Sequence, residues 1–158
     1  MIIRRAVEKD LYEVNAIEQG SFPIEEAGSL DKFEYRLTNF PKWFIVAEIE
    51  GKVVGAVVGR PMSQRFITDE YYENETVPEG DALAIISVAT DGEFRRQGVA
   101  DAMMKYILAE ASKSEFATSS LCCKEGLIDY YSRFGYKLIG LSKSEHGGAK
   151  WYDMEMVF

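Results

Sequence analysis

The most constraining feature of the sequence is an apolar run, Leu83 to Ala89, that is followed nine residues later by a helical pattern. A short run interrupted only by Ser87 is typical of a central strand buried on both faces of a sheet. From Gly98 to Ser112 the apolar residues instead recur every three or four positions, which predicts an amphipathic helix. A chain with this order is expected to fold around a sheet that is covered by helices.

Further strand and helix patterns occur along the rest of the chain. The predicted strands lie at 2–5, 43–49, 53–59, 118–123, 136–141 and 151–157, and the predicted helices at about 7–21, 29–38 and 126–134. Phe22-Pro23 ends the first helix, and Thr68 is a candidate cap for one short helix within the polar segment 61–81. No internal repeat or linker divides the chain. We therefore predict a single domain, 1–158, with a mixed α/β sheet flanked by helices.

Charge and hydropathy exclude several classes of function. The formal net charge of −8 disfavours a nucleic-acid partner, whose phosphates need a basic surface, and it suits a cationic substrate such as an amine. The chain contains no run of 18 apolar residues, so no membrane span is predicted. The N-terminus lacks the layout of a signal peptide. These features predict a cytoplasmic protein that has no membrane or nucleic-acid partner.

The cysteines and the single histidine offer no metal-ligand spacing, so no metal is predicted. Cys122 and Cys123 are adjacent, and neighbouring side chains on a strand point to opposite faces, which makes a disulfide between them geometrically poor. We expect two buried free thiols in a reducing compartment. His146 lies in the 144–148 loop, where we expect it to be exposed and uninvolved in function.

The segment from Phe94 to Ala100 joins the buried strand to the helix that follows it. Backbone N–H groups are unpaired at a helix start, and the helix dipole adds positive charge there, so such a turn can hold a pyrophosphate. Arg95 and Arg96 add positive charge to an acidic protein. The segment lacks both the Gly-Lys-Ser/Thr ending of a P-loop and the three glycines of a dinucleotide fingerprint. The alternative is that the two arginines only cap an exposed loop.

These residues resemble the GNAT superfamily of N-acetyltransferases, whose signature Arg/Gln-x-x-Gly-x-Gly/Ala is matched by Arg95 to Ala100. A closer similarity is to the arylalkylamine (serotonin-type) group. It rests on Glu18-Gln19 with Phe22 and on the run Tyr130-Tyr131-Ser132-Arg133-Phe134-Gly135-Tyr136. The resemblance implies a mixed, mostly antiparallel central sheet in which two parallel strands splay apart at a coenzyme A site.

The resemblance also implies acetyl-CoA as co-substrate and direct attack of an amine on the thioester. The implied coenzyme-binding residues are Val88, Ala89, Thr90, Arg95, Arg96, Gln97, Gly98, Val99, Ala100, Asp101 and Tyr131. Tyr131 matches the general acid of the family, which protonates the departing thiolate. The alternative is that Tyr131 is only a core aromatic residue.

The sequence departs from the arylalkylamine group at two positions. The group carries two histidines on its fourth strand, and this chain has Ala84 and Ile86 there. Deprotonation of the amine is therefore left to water or to a carboxylate. The candidate carboxylates are Glu25, Glu26 and Asp81.

We expect the amine pocket between the 21–28 loop and the final strands. Phe22, Pro23 and Tyr152 are candidate apolar walls, and Glu25 or Glu26 is a candidate partner for an ammonium group.

Three functions stay open from the sequence. The leading prediction is an N-acetyltransferase that acts on a small primary amine. The others are an enzyme that acetylates proteins or peptides and a non-catalytic acyl-CoA-binding sensor. The exposed face of the last strands is compatible with a homodimer.

Overall fold

Seven strands form one sheet in the computed structural model, which describes all residues from 1 to 158. The strands are β1 (Ile2–Arg5), β2 (Phe44–Ile49), β3 (Lys52–Met62), β4 (Ala82–Thr90), β5 (Thr118–Cys123), β6 (Lys137–Leu141) and β7 (Tyr152–Val157). Their order across the sheet is β1-β2-β3-β4-β5-β7-β6. The sheet is mostly antiparallel, and β4 and β5 form a parallel pair.

Four α-helices complete the element order β1-α1-α2-β2-β3-β4-α3-β5-α4-β6-β7, as predicted. They are α1 (Leu11–Ser21), α2 (Leu30–Asn39), α3 (Val99–Ser112) and α4 (Ile128–Ser132). The first helix ends where predicted, because Phe22 is extended ahead of Pro23. A short 3₁₀ helix, Asp69–Tyr72, follows Thr68. None of the four α-helices is both long and apolar enough to cross a membrane.

Some predicted boundaries were wrong, and hydrogen bonds made by side chains explain two of them. The α-helix α1 begins at Leu11 rather than Val7, because the Asp10 carboxylate accepts the Val7 N–H and also binds Arg4. Strand β3 continues to Met62 rather than ending at Gly59. Its extension is held by the buried Arg60, whose guanidinium donates to backbone carbonyl oxygens of the segment 71–75.

The chain comprises two compact units. The first contains residues 1–59 and 87–108, and the second contains residues 60–86 and 109–158. The single domain stays a prediction.

In the first unit, α3 packs closely on β3 at Gly55. A Cβ atom at this position would lie 2.9 Å from Cγ1 of Val99, 2.8 Å from Cε of Met103 and 3.2 Å from the Ala89 carbonyl oxygen. The side chains of Val99, Met103 and Ile107 are buried along this face of the helix. Glycine at position 55 therefore allows the first turn of α3 to lie directly against the sheet.

We predict that Gly55→Ala lowers the free energy of unfolding by about 1–3 kcal/mol, the usual cost of overpacking. The Met103 methyl group can move, but Val99 is stiff and the Ala89 carbonyl belongs to the backbone. Urea denaturation measures the effect. The matched control is Gly20→Ala, where no atom lies within 4 Å of the new Cβ and helix propensity favours alanine. Equal stability of the two variants would contradict the close approach at Gly55.

Candidate active site

The end of β4 continues past its pairing with β5. The parallel register joins Ala82 to Thr118 and ends at Ile85 opposite Leu121, whereas β4 runs on to Thr90. Val88 and Thr90 are partly exposed, and Ala89 is buried. Backbone groups at the end of such a strand are suited to pair with an extended ligand.

The turn after β4 adopts a backbone conformation that leads directly into α3. Asp91 accepts a hydrogen bond from the Glu93 N–H at 2.9 Å, and Arg96 and Gly98 have φ of 63° and 79°. Gly98 therefore precedes α3 in a left-handed conformation and is not its first residue. The Ala102 N–H donates to the Gly98 carbonyl at 3.0 Å, so the N–H groups of Val99 and Ala100 come before the first helical hydrogen bond.

The same turn carries two cations that lack a partner in the protein. Arg95 and Arg96 are exposed and form no ion pair or side-chain hydrogen bond. Gln97 is anchored, because its side-chain amide donates to the Glu93 carbonyl at 3.3 Å. Two free guanidinium groups beside a helix N-terminus make a favourable position for an anion. This part of the predicted site is formed by neighbouring residues of one unit.

Glu18 is a functional candidate that the sequence analysis missed. It lies on the buried face of α1, is 4% exposed, and accepts a hydrogen bond from the Ser87 hydroxyl of β4 at 2.8 Å. Buried glutamates are rare unless they are paired or functional. The available signal was a glutamate at a core-facing position of an amphipathic helix, where an apolar residue is usual.

Tyr131 lies on α4 in the second unit and is 7% exposed. Its hydroxyl forms no hydrogen bond with the protein, whereas the neighbouring Tyr136 shares a 2.7 Å hydrogen bond with Ser119. Burial raises the pKa of Tyr131 well above its ordinary value, and the nearby Cys123 adds to the shift. Tyr131 is therefore a protonated donor at neutral pH, and its hydroxyl is available to a ligand.

The remaining predicted residues fall in both units. Phe22 to Glu26 lie in a turn after α1, where the Glu26 and Ala27 N–H groups bind the Pro23 carbonyl. Tyr152 begins β7 in the second unit, opposite Cys123. Asp81 is exposed at the start of β4. A common pocket formed by Phe22, Pro23 and Tyr152 stays a prediction.

The predicted exposure of His146 was wrong. The imidazole is partly buried and stacks on Tyr72, with ring centroids 4.4 Å apart and planes at 16°. The Trp151 indole N–H also donates to the His146 carbonyl at 2.8 Å. The stack on Tyr72 joins residues 74 positions apart, which local patterns do not report. No group of three or more His, Cys, Asp or Glu side chains is arranged to hold a metal ion.

The fold and the turn together define a mixed α/β protein in which a helix N-terminus beside two exposed arginines follows a central strand. The model of the Acetyltransferase (GNAT) family matches residues 9–136, and the chain belongs to this family. The matched region includes α1, the whole turn and Tyr131.

Individual relatives agree with this assignment. The serotonin N-acetyltransferase of Mesocricetus auratus is 25% identical over 137 residues, which cover 84% of this chain and 65% of that enzyme. The match thus spans less than two thirds of that relative. Among solved structures, the GphF GNAT-like decarboxylase in complex with isobutyryl-CoA has a TM-score of 0.84 at 15% identity, with 99% of each chain covered. Ribosomal-protein-alanine N-acetyltransferase from Brucella melitensis has a TM-score of 0.77 at 20% identity, with both chains fully covered.

Both cysteines are free, as predicted, and their thiols are expected to react slowly. Burial raises the pKa of Cys122 to about 12 and that of Cys123 to about 11. The reactive thiolate is therefore scarce at pH 8. We predict that a disulfide reagent modifies the native protein at less than about a hundredth of its rate in urea, a ratio that follows from the two pKa values. Rapid modification of the native protein at pH 8, with the fold intact by circular dichroism, would contradict this expectation.

Proposed function

We propose that this protein is an acetyl-CoA-dependent N-acetyltransferase that acts on a small primary amine. The observation that carries the proposal is the turn before α3, where Arg95 and Arg96 lack protein partners beside the free N–H groups of Val99 and Ala100. Family membership supports acyl transfer as the chemistry. Two free thiols also suit the reducing cytoplasm.

The residues of the first unit suit the coenzyme. A pyrophosphate at the start of α3 would be stabilised by the backbone amides, the helix dipole and the two guanidinium groups. The extended residues Val88, Ala89 and Thr90 offer backbone groups to a pantetheine arm, which carries amides of its own. Acetyl-coenzyme A would supply an activated thioester, and the protein would supply binding, orientation and proton transfer.

We assign Tyr131 as the group that assists departure of the thiolate. Amine attack forms a C–N bond, and collapse of the tetrahedral intermediate breaks the C–S bond and leaves a thiolate that needs a proton or a hydrogen bond. The raised pKa of Tyr131 keeps its proton in place across the working pH range. Its unpaired hydroxyl can donate to the sulfur without breaking a bond inside the protein.

We assign Glu18 as the acceptor of the proton that the amine loses. Amines are mostly protonated at neutral pH, and the attacking nitrogen needs its lone pair. Glu18 is a buried carboxylate bound to Ser87, the residue before Val88, so it lies beside the proposed pantetheine strand. Its contact with β4 favours Glu18 over the exposed Glu25 and Asp81 as the base.

The proposed acceptor is a small amine rather than a protein or peptide. Proteins named for different reactions share this fold, since the Brucella melitensis neighbour is called a ribosomal-protein-alanine N-acetyltransferase and the GphF neighbour is called a decarboxylase. Fold alone therefore does not select the reaction. The net charge of −8 favours a cationic small molecule as the acceptor. The stack of Tyr72 on His146 joins the 61–81 segment to the 142–151 loop, and this contact favours a closed acceptor site over a groove that is open to a peptide.

The direct test is release of coenzyme A from acetyl-CoA over a panel of primary amines and of peptides with free N-termini. Amine-dependent release supports the proposal, and release only with peptides favours the protein-directed enzyme. Binding of acetyl-CoA without turnover for any acceptor would favour a sensor.

In the same assay we predict that Tyr131→Phe lowers kcat by about 10²–10⁴-fold, the usual contribution of general acid–base catalysis, and leaves the KM for acetyl-CoA within about twofold. Tyr136→Phe is the control, because it removes a phenol that is bound to Ser119. Wild-type kcat should show no loss near pH 10 from deprotonation of Tyr131, because its pKa is raised above that range. Unchanged turnover in Tyr131→Phe would remove this residue from the mechanism.

We also predict that Glu18→Gln lowers kcat/KM for the amine by about 10²-fold at pH 7, because the base is lost and the hydrogen bond with Ser87 is retained. The deficit should shrink as the pH rises, since more of the amine is then already neutral. The control is Glu8→Gln, an exposed carboxylate near the start of the same helix. A loss that does not depend on pH would point to a structural role for Glu18 instead.

A further inference from the structure

One face of the paired strands β5 and β7 carries two buried carboxylates. Asp153 is opposite Cys122, and Glu155 is opposite Ser120, so these four side chains share one face of the sheet. Ala84 of β4 is in register with Ser120 and adds only a methyl group to this face. Asp153 is 7% exposed and Glu155 is 9% exposed.

The two carboxylates differ in their partners. Glu155 accepts two hydrogen bonds from the guanidinium of Arg65, at 2.8 and 2.9 Å, and these bonds lower the pKa of Glu155. Asp153 has no cationic partner anywhere in the protein. Its one side-chain hydrogen bond comes from the Cys122 thiol, at 3.3 Å.

A thiol is a weak donor and gives Asp153 little compensation for burial. The Cys122 thiol is also shared, because Ser142 lies 3.6 Å from the sulfur and Tyr72 bonds to it as well. Buried carboxylates in proteins are normally paired with a cation or satisfied by several hydrogen bonds. The arrangement therefore leaves Asp153 with a thiol as its one side-chain donor and with no cation beside it.

An aromatic cluster is linked to Asp153 through Cys122. Tyr72, which contacts Cys122, forms an aromatic stack with His146, and the His146 carbonyl holds the Trp151 indole. Asp69 binds the Ser144 hydroxyl and the Glu145 N–H, which ties the 61–81 segment to the 142–151 loop beside this cluster. Aromatic faces attract ammonium groups and exclude water from around them.

We propose that Asp153 binds the ammonium group of the acceptor amine before its deprotonation. This inference rests on the proposed function and assigns to Asp153 the role that the sequence suggested for Glu25 or Glu26. The ligand class is a slim alkyl- or arylalkylammonium ion, because a carboxylate with 7% exposure admits only a narrow group. The amine donates to the carboxylate.

The test is calorimetric titration of n-butylamine and of phenethylamine at pH 7 into protein saturated with coenzyme A. We expect Asp153→Asn to weaken binding at least tenfold, which is the effect of losing a charge-assisted hydrogen bond of about 1.5–3 kcal/mol. The neutral analogue 1-butanol should bind poorly to both proteins. The matched control is Glu115→Gln, which removes one exposed carboxylate from the same unit and should bind the amines like the wild type.

A second measurement needs no variant and covers the case in which Asp153→Asn does not fold. In wild-type protein, saturating n-butylamine should shift the side-chain carboxyl ¹³C resonance of Asp153, and 1-butanol should not. Coenzyme A affinity and the thermal unfolding midpoint of each variant show whether the fold and the coenzyme site are intact.

The outcomes separate this inference from the proposed function. Equal amine affinity in wild type and Asp153→Asn, an equal loss in Glu115→Gln, or no amine binding to the coenzyme-loaded protein would each overturn the role of Asp153. Amine-dependent release of coenzyme A under any of these outcomes would leave acetyl transfer standing. Absence of turnover together with Asp153-dependent amine binding would instead overturn the enzymatic function and keep the ammonium site.

Discussion

The close packing of α3 on β3 at Gly55 is the constraint on which the proposed coenzyme site depends. The helix buries Val99, Met103 and Ile107, and its first turn follows directly from the left-handed Gly98. Since Val99 is both a core residue and one of the residues with a free N–H, the site cannot shift without disturbing the core. The position of the amides proposed to bind the pyrophosphate is thus maintained by hydrophobic packing rather than by the exposed turn itself.

In the second unit, hydrogen bonding distinguishes two buried tyrosines that are five residues apart. Tyr136 bonds to Ser119 and closes the packing between β5 and the start of β6. Tyr131 has a similar degree of burial, but its hydroxyl has no partner. In the proposed mechanism this hydroxyl donates to the departing thiolate without breaking a hydrogen bond inside the protein. Asp153 likewise has no cation as a partner, and its proposed role rests on that observation.

Local patterns predicted most of the architecture. The apolar run at Leu83 and the helical spacing after Gly98 defined the strand, turn and helix, and Phe22-Pro23 correctly ended α1, because these signals act over a few residues. The predicted strand Thr118–Cys123 agrees with β5. Glu18, Asp153 and His146 were missed or misjudged because their partners lie far away along the chain. Ser87, for example, is 69 residues from Glu18.

Short-range spacing and residue type were enough to predict the element order and the family, and they also predict a pyrophosphate site at Arg95 to Ala100. Which polar groups are buried, paired or open to a ligand depends on the tertiary fold. Strand register placed Cys122 against Asp153, and helix packing brought Glu18 to Ser87. Burial and pairing are properties of contacts between distant segments, and a linear pattern does not contain them.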